Sequence, residues 1–271
     1  MKRIITGIKK TAIHTLSIYF GLSLRGVSLN LGKYRKLKRD LKLLKAQSRL
    51  SAHQFPITRL YPCYMDSSED AGSIGGHYFH QDLYVAQRIF ANKPRRHVDI
   101  GSRIDGLVAH VATFREIEVF DIRPLPESVH RNIIFKQADL MTDNPALAGY
   151  TDSISCLHAL EHFGLGRYGD PICYEGYQLG FDNITGILQP GGKFYFSVPF
   201  GPERIEFHAH RIFSLSHLLE MIRPRYEINT FSYVDDAGRF HPDVPAFDAP
   251  ESTNSNFGCN WGCAIFELTK R

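Results

Sequence analysis

Apolar residues fall into two regimes along the 271-residue chain, helical spacing near the start and alternating strand-like and helix-like segments from about residue 97 onward. Ile5, Ile8, Ala12, Leu16 and Tyr19 recur at helical spacing beside Lys2, Arg3, Lys9 and Lys10. Leu37, Leu41 and Leu44 do the same within the basic run from Lys33 to Arg49. This pattern predicts two basic amphipathic helices separated near residues 26–32, forming an extension (1–50) ahead of a main domain (51–271). Within that domain, strands are predicted at 97–100, 118–121, 133–136, 153–157, 193–198, 226–233 and 263–269. Helices are predicted at 107–114, 175–188 and 214–222, the last capped by Ser214, with a long loop over 235–256. Seven strands with helices between the first five describe a mostly parallel sheet covered on both faces, a Rossmann-like α/β domain with an antiparallel edge.

Charge divides the chain at the same place as periodicity. Residues 1–49 carry 13 Lys/Arg against the single acid Asp40, whereas the other 222 residues carry 19 against 27 Asp/Glu. An acidic body argues against nucleic acid as a partner, while the basic arm suits an anionic membrane surface or, equally, a helical lid with solvated lysines. The apolar stretch at 11–24 is short and interrupted by His14, Thr15 and Ser17, so it predicts neither a membrane span nor a cleaved signal. Five scattered cysteines do not form a disulfide framework and point to a reducing, cytoplasmic setting, peripheral at the inner membrane face if the arm binds lipid.

In an open parallel sheet the ligand lies outside the carboxyl ends of the strands, so the residues just after each strand are the candidates. Asp99, Gly101 and Ser102 follow the first strand, Asp121 ends the second about 20 residues on, Asp139 follows the third, and Leu157 ends the fourth. A glycine lets backbone approach a ligand, and a carboxylate at Asp121 suits ribose hydroxyls. His162 follows the fourth strand, and His208 and His210 lie beyond the fifth; an imidazole is suited to accept a proton near neutral pH. His210 is the first choice as base and His162 the second, because Arg204 and Arg211 near His210 could hold an anionic substrate. Arg167 and Asp170 sit in a glycine-rich stretch at 164–170 that suits a substrate loop. His158-x-x-Glu161-His162 matches an inverted zinc-protease pattern, but it straddles a strand end and specifies no third ligand, so no metal site is expected.

Three segments carry a resemblance. Val98-Asp99-Ile100-Gly101-Ser102 resembles the first motif of the class I S-adenosylmethionine (SAM)-dependent methyltransferases, and Leu160-Glu161-His162 resembles the Leu-Glu-His of their ubiquinone-biosynthesis-like branch. Leu188-Gln189-Pro190-Gly191-Gly192-Lys193 resembles their Leu-Lys-Pro-Gly-Gly turn. Segments at 99–103, 166–171, 197–201 and 210–214 are similar to a methyltransferase-like family of unknown function associated with surface-polysaccharide gene clusters. The resemblance implies a SAM cofactor and a small or glycan-like acceptor. It departs at the first motif, where Arg103 and Asp105 replace the second and third glycines. Either the loop follows another path, with Gly106 supplying freedom and an Arg103–Asp105 pair bracing it, or the pocket has lost SAM. Two functions therefore stand open, a methyltransferase and a catalytically silent binding or scaffold protein of a glycan assembly system. A nicotinamide-dependent enzyme is disfavoured because the dinucleotide glycines are missing.

Overall fold

A computed structural model describes residues 31–63, 72, 74–245 and 250–271, and the chain divides into two compact units between Ser73 and Ile74. In the first unit the basic run forms helix α1 (Leu31–Ser48), with Lys36 paired to Asp40 one turn on. Its Leu43 and Leu44 are more than half exposed. The other predicted helix, on residues 5–19, lies outside the described residues. Among the described residues no helix is long and apolar enough to cross a membrane.

The second unit is built on one sheet. Its elements are α2 (His77–Asn92), β1 (Val98–Ile100), α3 (Ala109–Ala112), β2 (Ile117–Asp121), β3 (Ile133–Gln137), β4 (Thr151–Leu157), α4 (Gly176–Ile187) and β5 (Leu188–Phe200). They continue with β6 (Arg204–Glu206), β7 (His210–Ile212), α5 (Leu215–Ile222), β8 (Tyr226–Val234), β9 (Phe240–His241), α6 (Pro250–Asn254) and β10 (Gly262–Lys270). The strand order is β3-β2-β1-β4-β5-β10-β8-β9, with the first five parallel and β10, β8 and β9 joined antiparallel.

Alternation along the strands explains the two-faced burial. Phe194, Phe196, Val198 and Phe200 of β5 and Ala264, Phe266 and Leu268 of β10 pack against α4 and α5. Tyr195, Cys263 and Ile265 point the other way, toward Val85, Ala86 and Ile89 of α2 and Leu107, Val108 and Val111. Ser214 caps α5 as its position predicts, its Oγ accepting from His217 N at 3.1 Å.

Four details depart from the sequence expectation. The sheet has eight strands rather than seven, because the two-residue β9 folds back on β8. β6 and β7 form a separate ribbon. The predicted loop at 235–256 contains β9 and the whole of α6. The helix expected at 107–114 begins earlier, as a π-helical turn over Ile104–Val108 that runs into α3. Short pairings like β9 depend on a neighbouring strand and leave little periodic signal of their own.

Candidate functional site

β1 is the switch point of the sheet, flanked by β2 on one side and β4 on the other. At its carboxyl end lies a cleft of about 530 Å³ lined by Gly101, Asp121, Asp139, His158, His162 and Tyr168, among others. Four of the residues selected by strand position, Gly101, Asp121, Asp139 and His162, are thus brought together. Gly101 has φ +67°, and a Cβ there would stand 2.9 Å from Ala159 Cβ, so the tight passage between β1 and β4 requires glycine.

Asp99 and Ser102 take a different part from the one expected. Asp99 is fully buried and lies off the cleft surface; it accepts from Ser155 Oγ at 2.5 Å, Ser102 Oγ at 2.7 Å and Ser102 N at 3.1 Å. Burial raises its pKa to about 6 against the pull of those serines. Ser102 is itself buried and accepts from Leu157 N at 3.3 Å, so the pair ties the β1 loop to β4. In the altered glycine motif Gly106 adopts a non-helical conformation, and Arg103 pairs with Asp105 at 2.7 Å on the surface. A side chain at Gly106 would collide with the Asp82 carboxylate, which burial raises to a pKa of about 6.

Asp121 is engaged by its own loop. Arg123 donates from Nη2 to Oδ2 at 2.6 Å and from Nε to Oδ1 at 3.0 Å, and its guanidinium stands 4.3 Å from the Tyr168 ring centroid. Asp139 accepts from Met141 N at 2.9 Å.

A wider chamber of about 1310 Å³ adjoins the cleft, sharing Gly101, Arg123, His158, His162 and Tyr168 with it. It adds His77, Glu161, Arg167, His210 and Trp261, as well as Leu157. His162 Nδ1 lies 2.7 Å from the Ala209 carbonyl, which fixes Nδ1 as the protonated nitrogen and leaves Nε2 basic. Burial lowers its pKa although Glu161 opposes this. His210 lies 6.4 Å from His162, centroid to centroid, but its Nε2 is enclosed without a hydrogen-bond partner, 3.5 Å from Glu206 Oε2. Burial lowers the His210 pKa as well.

The expected substrate residues separate into three groups. Arg167 lines the chamber and donates to the Ala209 carbonyl at 2.9 Å. Asp170 lines the cleft, where it accepts from Gly164 N (2.8 Å), Gly166 N (3.1 Å) and Tyr168 N (3.1 Å) and so holds the glycine-rich loop. Arg204 and Arg211 face a different depression beside Tyr177 and His217, and this corrects their grouping with His210. Buried Arg211 donates to the carbonyls of Phe163 and Tyr174 at 2.6 and 2.9 Å, because side chains alternate along β7 and send it away from the chamber that His210 lines.

His158 is the residue that strand order undervalued. It has φ +50°, is buried between cleft and chamber, and sets Nδ1 3.0 Å from Oε1 of the equally buried Glu161. Burial opposes its charge, but Cys263 and Glu161 raise its pKa well above the ordinary value. Burial likewise opposes ionisation of Glu161, yet His158 holds that carboxyl below the usual range. His77, facing His158 at 5.2 Å between centroids, is lowered to about 4 by burial and then by His158. Only the His158-x-x-Glu161 spacing hinted at this pair; His77 and Trp261 had no signal.

Residues 124–240 match a family described as Caenorhabditis protein of unknown function, DUF268. No curated protein matches the chain. Among solved structures, the (4+2)-cyclase SpnF is similar with a TM-score of 0.51 and 16% identity, over 70% of this chain and 80% of that one. The Burkholderia thailandensis 1,6-didemethyltoxoflavin-N1-methyltransferase, solved with 1,6-didemethyltoxoflavin and S-adenosylhomocysteine, gives 0.49 and 16% over 70% and 78%. The N-methyltransferase NodS of Bradyrhizobium japonicum WM9, in complex with S-adenosylhomocysteine, gives 0.47 and 12% over 71% and 87%. Together with the strand order, the likeness to SpnF shows that this chain carries a Rossmann-like α/β fold.

Proposed function

We propose that this chain is a SAM-dependent methyltransferase acting on a small or glycan-like acceptor. The observation that carries the proposal is the meeting of two cavities at Gly101, His158, His162 and Tyr168, one bounded by strand-end carboxylates and the other by histidines and arginines. The first fits the cofactor: Gly101 brings backbone to its wall, Asp121 is a carboxylate for ribose hydroxyls, and Asp139 is one for the adenine amino group. When bound, SAM supplies a methyl group on a sulfonium. Ribose binding at Asp121 requires Arg123 to yield part of its hold. His162 accepts the acceptor's proton at Nε2, its tautomer held by the Ala209 carbonyl. The enclosed Nε2 of His210 supports a wall role rather than the base role its chain position suggested. Arg167 favours an anionic acceptor.

The four segments similar to the polysaccharide-associated family support an acceptor of cell-surface glycan synthesis. The exposed leucines of α1 among lysines support a cytoplasmic protein that touches the inner membrane face. A second reading, a catalytically silent binding or scaffold protein, draws support from Arg123 occupying Asp121. A fold does not choose a reaction, and the similar SpnF is named a cyclase. Calorimetric titration of the full chain with S-adenosylhomocysteine decides between them. Saturable binding at micromolar ligand supports the methyltransferase, and no heat at millimolar ligand leaves the silent reading.

A further inference from the structure

We propose that His77, His158 and Cys263 form a zinc site on the wall of the acceptor chamber. The three come from distant parts of the chain: His77 opens α2, His158 follows β4, and Cys263 lies on β10. Each offers one ligand atom, and these atoms lie within 4.8 Å of one another. A tetrahedral zinc site with Zn–N near 2.0 Å and Zn–S near 2.3 Å sets such atoms about 3.3 to 3.6 Å apart, so side-chain rotations of about an ångström complete it.

The surroundings of the histidines match what a metal requires. A metal-bound imidazole donates its other N–H to a carboxylate or a main-chain carbonyl, which orients the ring. His158 has Nδ1 3.0 Å from Glu161 Oε1, and the His77 ring packs against Trp261 at 4.7 Å between centroids. His158 Nε2 is buried and has no hydrogen-bond partner, in a side chain only 5% exposed. Glu161 Oε2 is also buried without one. Leaving such atoms buried and unpaired carries a desolvation cost, which a cation beside them offsets. Cys263 is fully buried and its thiol contacts Gln81 Oε1 at 3.5 Å. That oxygen also accepts from Ser197 Oγ at 2.6 Å, so it keeps a partner when the thiol becomes a thiolate.

Two imidazoles and a thiolate suit zinc, whereas calcium and magnesium require oxygen ligands. With three protein ligands, the fourth position faces the chamber that His77 and His158 line, where water or an acceptor oxygen would bind. The site stands independently of methyl transfer, since S-adenosylhomocysteine titration and metal titration report on it separately.

The test is a Co(II) titration of the full chain after removal of metal by a chelator. One equivalent should bind with a near-ultraviolet thiolate-to-cobalt band and the visible bands of a four-coordinate ion, all bleached by Zn(II). Cys263→Ser should abolish the near-ultraviolet band. His77→Gln, at the chamber surface, should weaken metal binding by at least about tenfold, and Glu161→Gln by about 10- to 100-fold. Urea unfolding of the metal-free variants checks their folding, and His77→Gln decides the matter if Cys263→Ser does not fold. The proposal is overturned by a folded wild type without the near-ultraviolet band, by a band that survives Cys263→Ser, or by wild-type affinity in His77→Gln.

Discussion

Arg123 grips Asp121 across one loop turn, with Nη2 to Oδ2 at 2.6 Å, Nε to Oδ1 at 3.0 Å, and Arg123 N to Oδ1 at 2.8 Å. The carboxylate assigned to ribose is therefore shared with a cation that lies over the Tyr168 ring, 4.3 Å from its centroid. Half-exposed ion pairs contribute about 0.2–1 kcal/mol. Arg123→Ala should accordingly raise S-adenosylhomocysteine affinity by up to about fivefold, and Asp121→Ala should lower it by about tenfold or more. Calorimetry on both variants checks this; weaker binding in Arg123→Ala would make the arginine a cofactor contact instead.

The histidine roles differ in what the free nitrogen can reach. His162→Ala should lower turnover by about 10²- to 10⁴-fold while S-adenosylhomocysteine affinity changes little. His210→Ala should raise KM for the acceptor more than it lowers kcat, since its ring stacks on Trp261 at 6.2 Å with Nε2 enclosed. Steady-state kinetics with nucleotide-sugar or lipid-linked glycan acceptors separates the two, and the reverse pattern would restore His210 as the base.

Asp170 organises its loop through three backbone N–H groups. Asp170→Ala should destabilise the fold by about 2–4 kcal/mol, because those donors lose a charged partner. Urea denaturation measures the loss, and faster amide exchange at Gly164, Gly166 and Tyr168 locates it. Unchanged exchange there would show that the loop holds its shape without the carboxylate.

His97 is buried with Nδ1 2.7 Å from Ser153 Oγ and Nε2 3.1 Å from Ser155 Oγ, and burial lowers its pKa from 6.5 to about 3. The unfolded chain therefore takes up the proton first as pH falls. This contribution to stability is complete above pH 6.5 and declines as pH drops toward 3, by about 1.4 kcal/mol per pH unit. Unfolding free energies between about pH 7 and about pH 5 should fall by about 2 kcal/mol from this residue, and His97→Gln should flatten that slope. An unaltered slope in the variant would place the acid sensitivity elsewhere.

The basic helix α1 offers a fifth test in the full chain. Each cation near an anionic bilayer contributes about 1 kcal/mol, so changing Lys36, Lys38, Arg39 and Lys42 together to Glu should reduce vesicle binding by more than about 100-fold. Sedimentation with phosphatidylserine-containing vesicles measures it, and rising salt should weaken the wild type in parallel. Equal binding by wild type and variant would dismiss the membrane role.

What the sequence by itself determined is whatever repeats locally. The alternation of buried and turn segments after residue 97 specified the parallel β1–β5 core, and strand ends alone placed Gly101, Asp121, Asp139 and His162 on one cleft. Ser214 announced the start of α5 through its own side chain. Tertiary structure alone decided the rest, because direction and partnership of a side chain depend on what packs against it. Asp99 and Ser102 lie in the expected loop yet turn inward, since Ser155 on the neighbouring β4 completes their bonds. Arg211 follows His210 directly and points elsewhere, since one residue along a strand reverses the face. His77, His158 and Cys263 are too far apart in the chain for any spacing to link them; α2 lying against the face of the sheet that carries Cys263 brings them together.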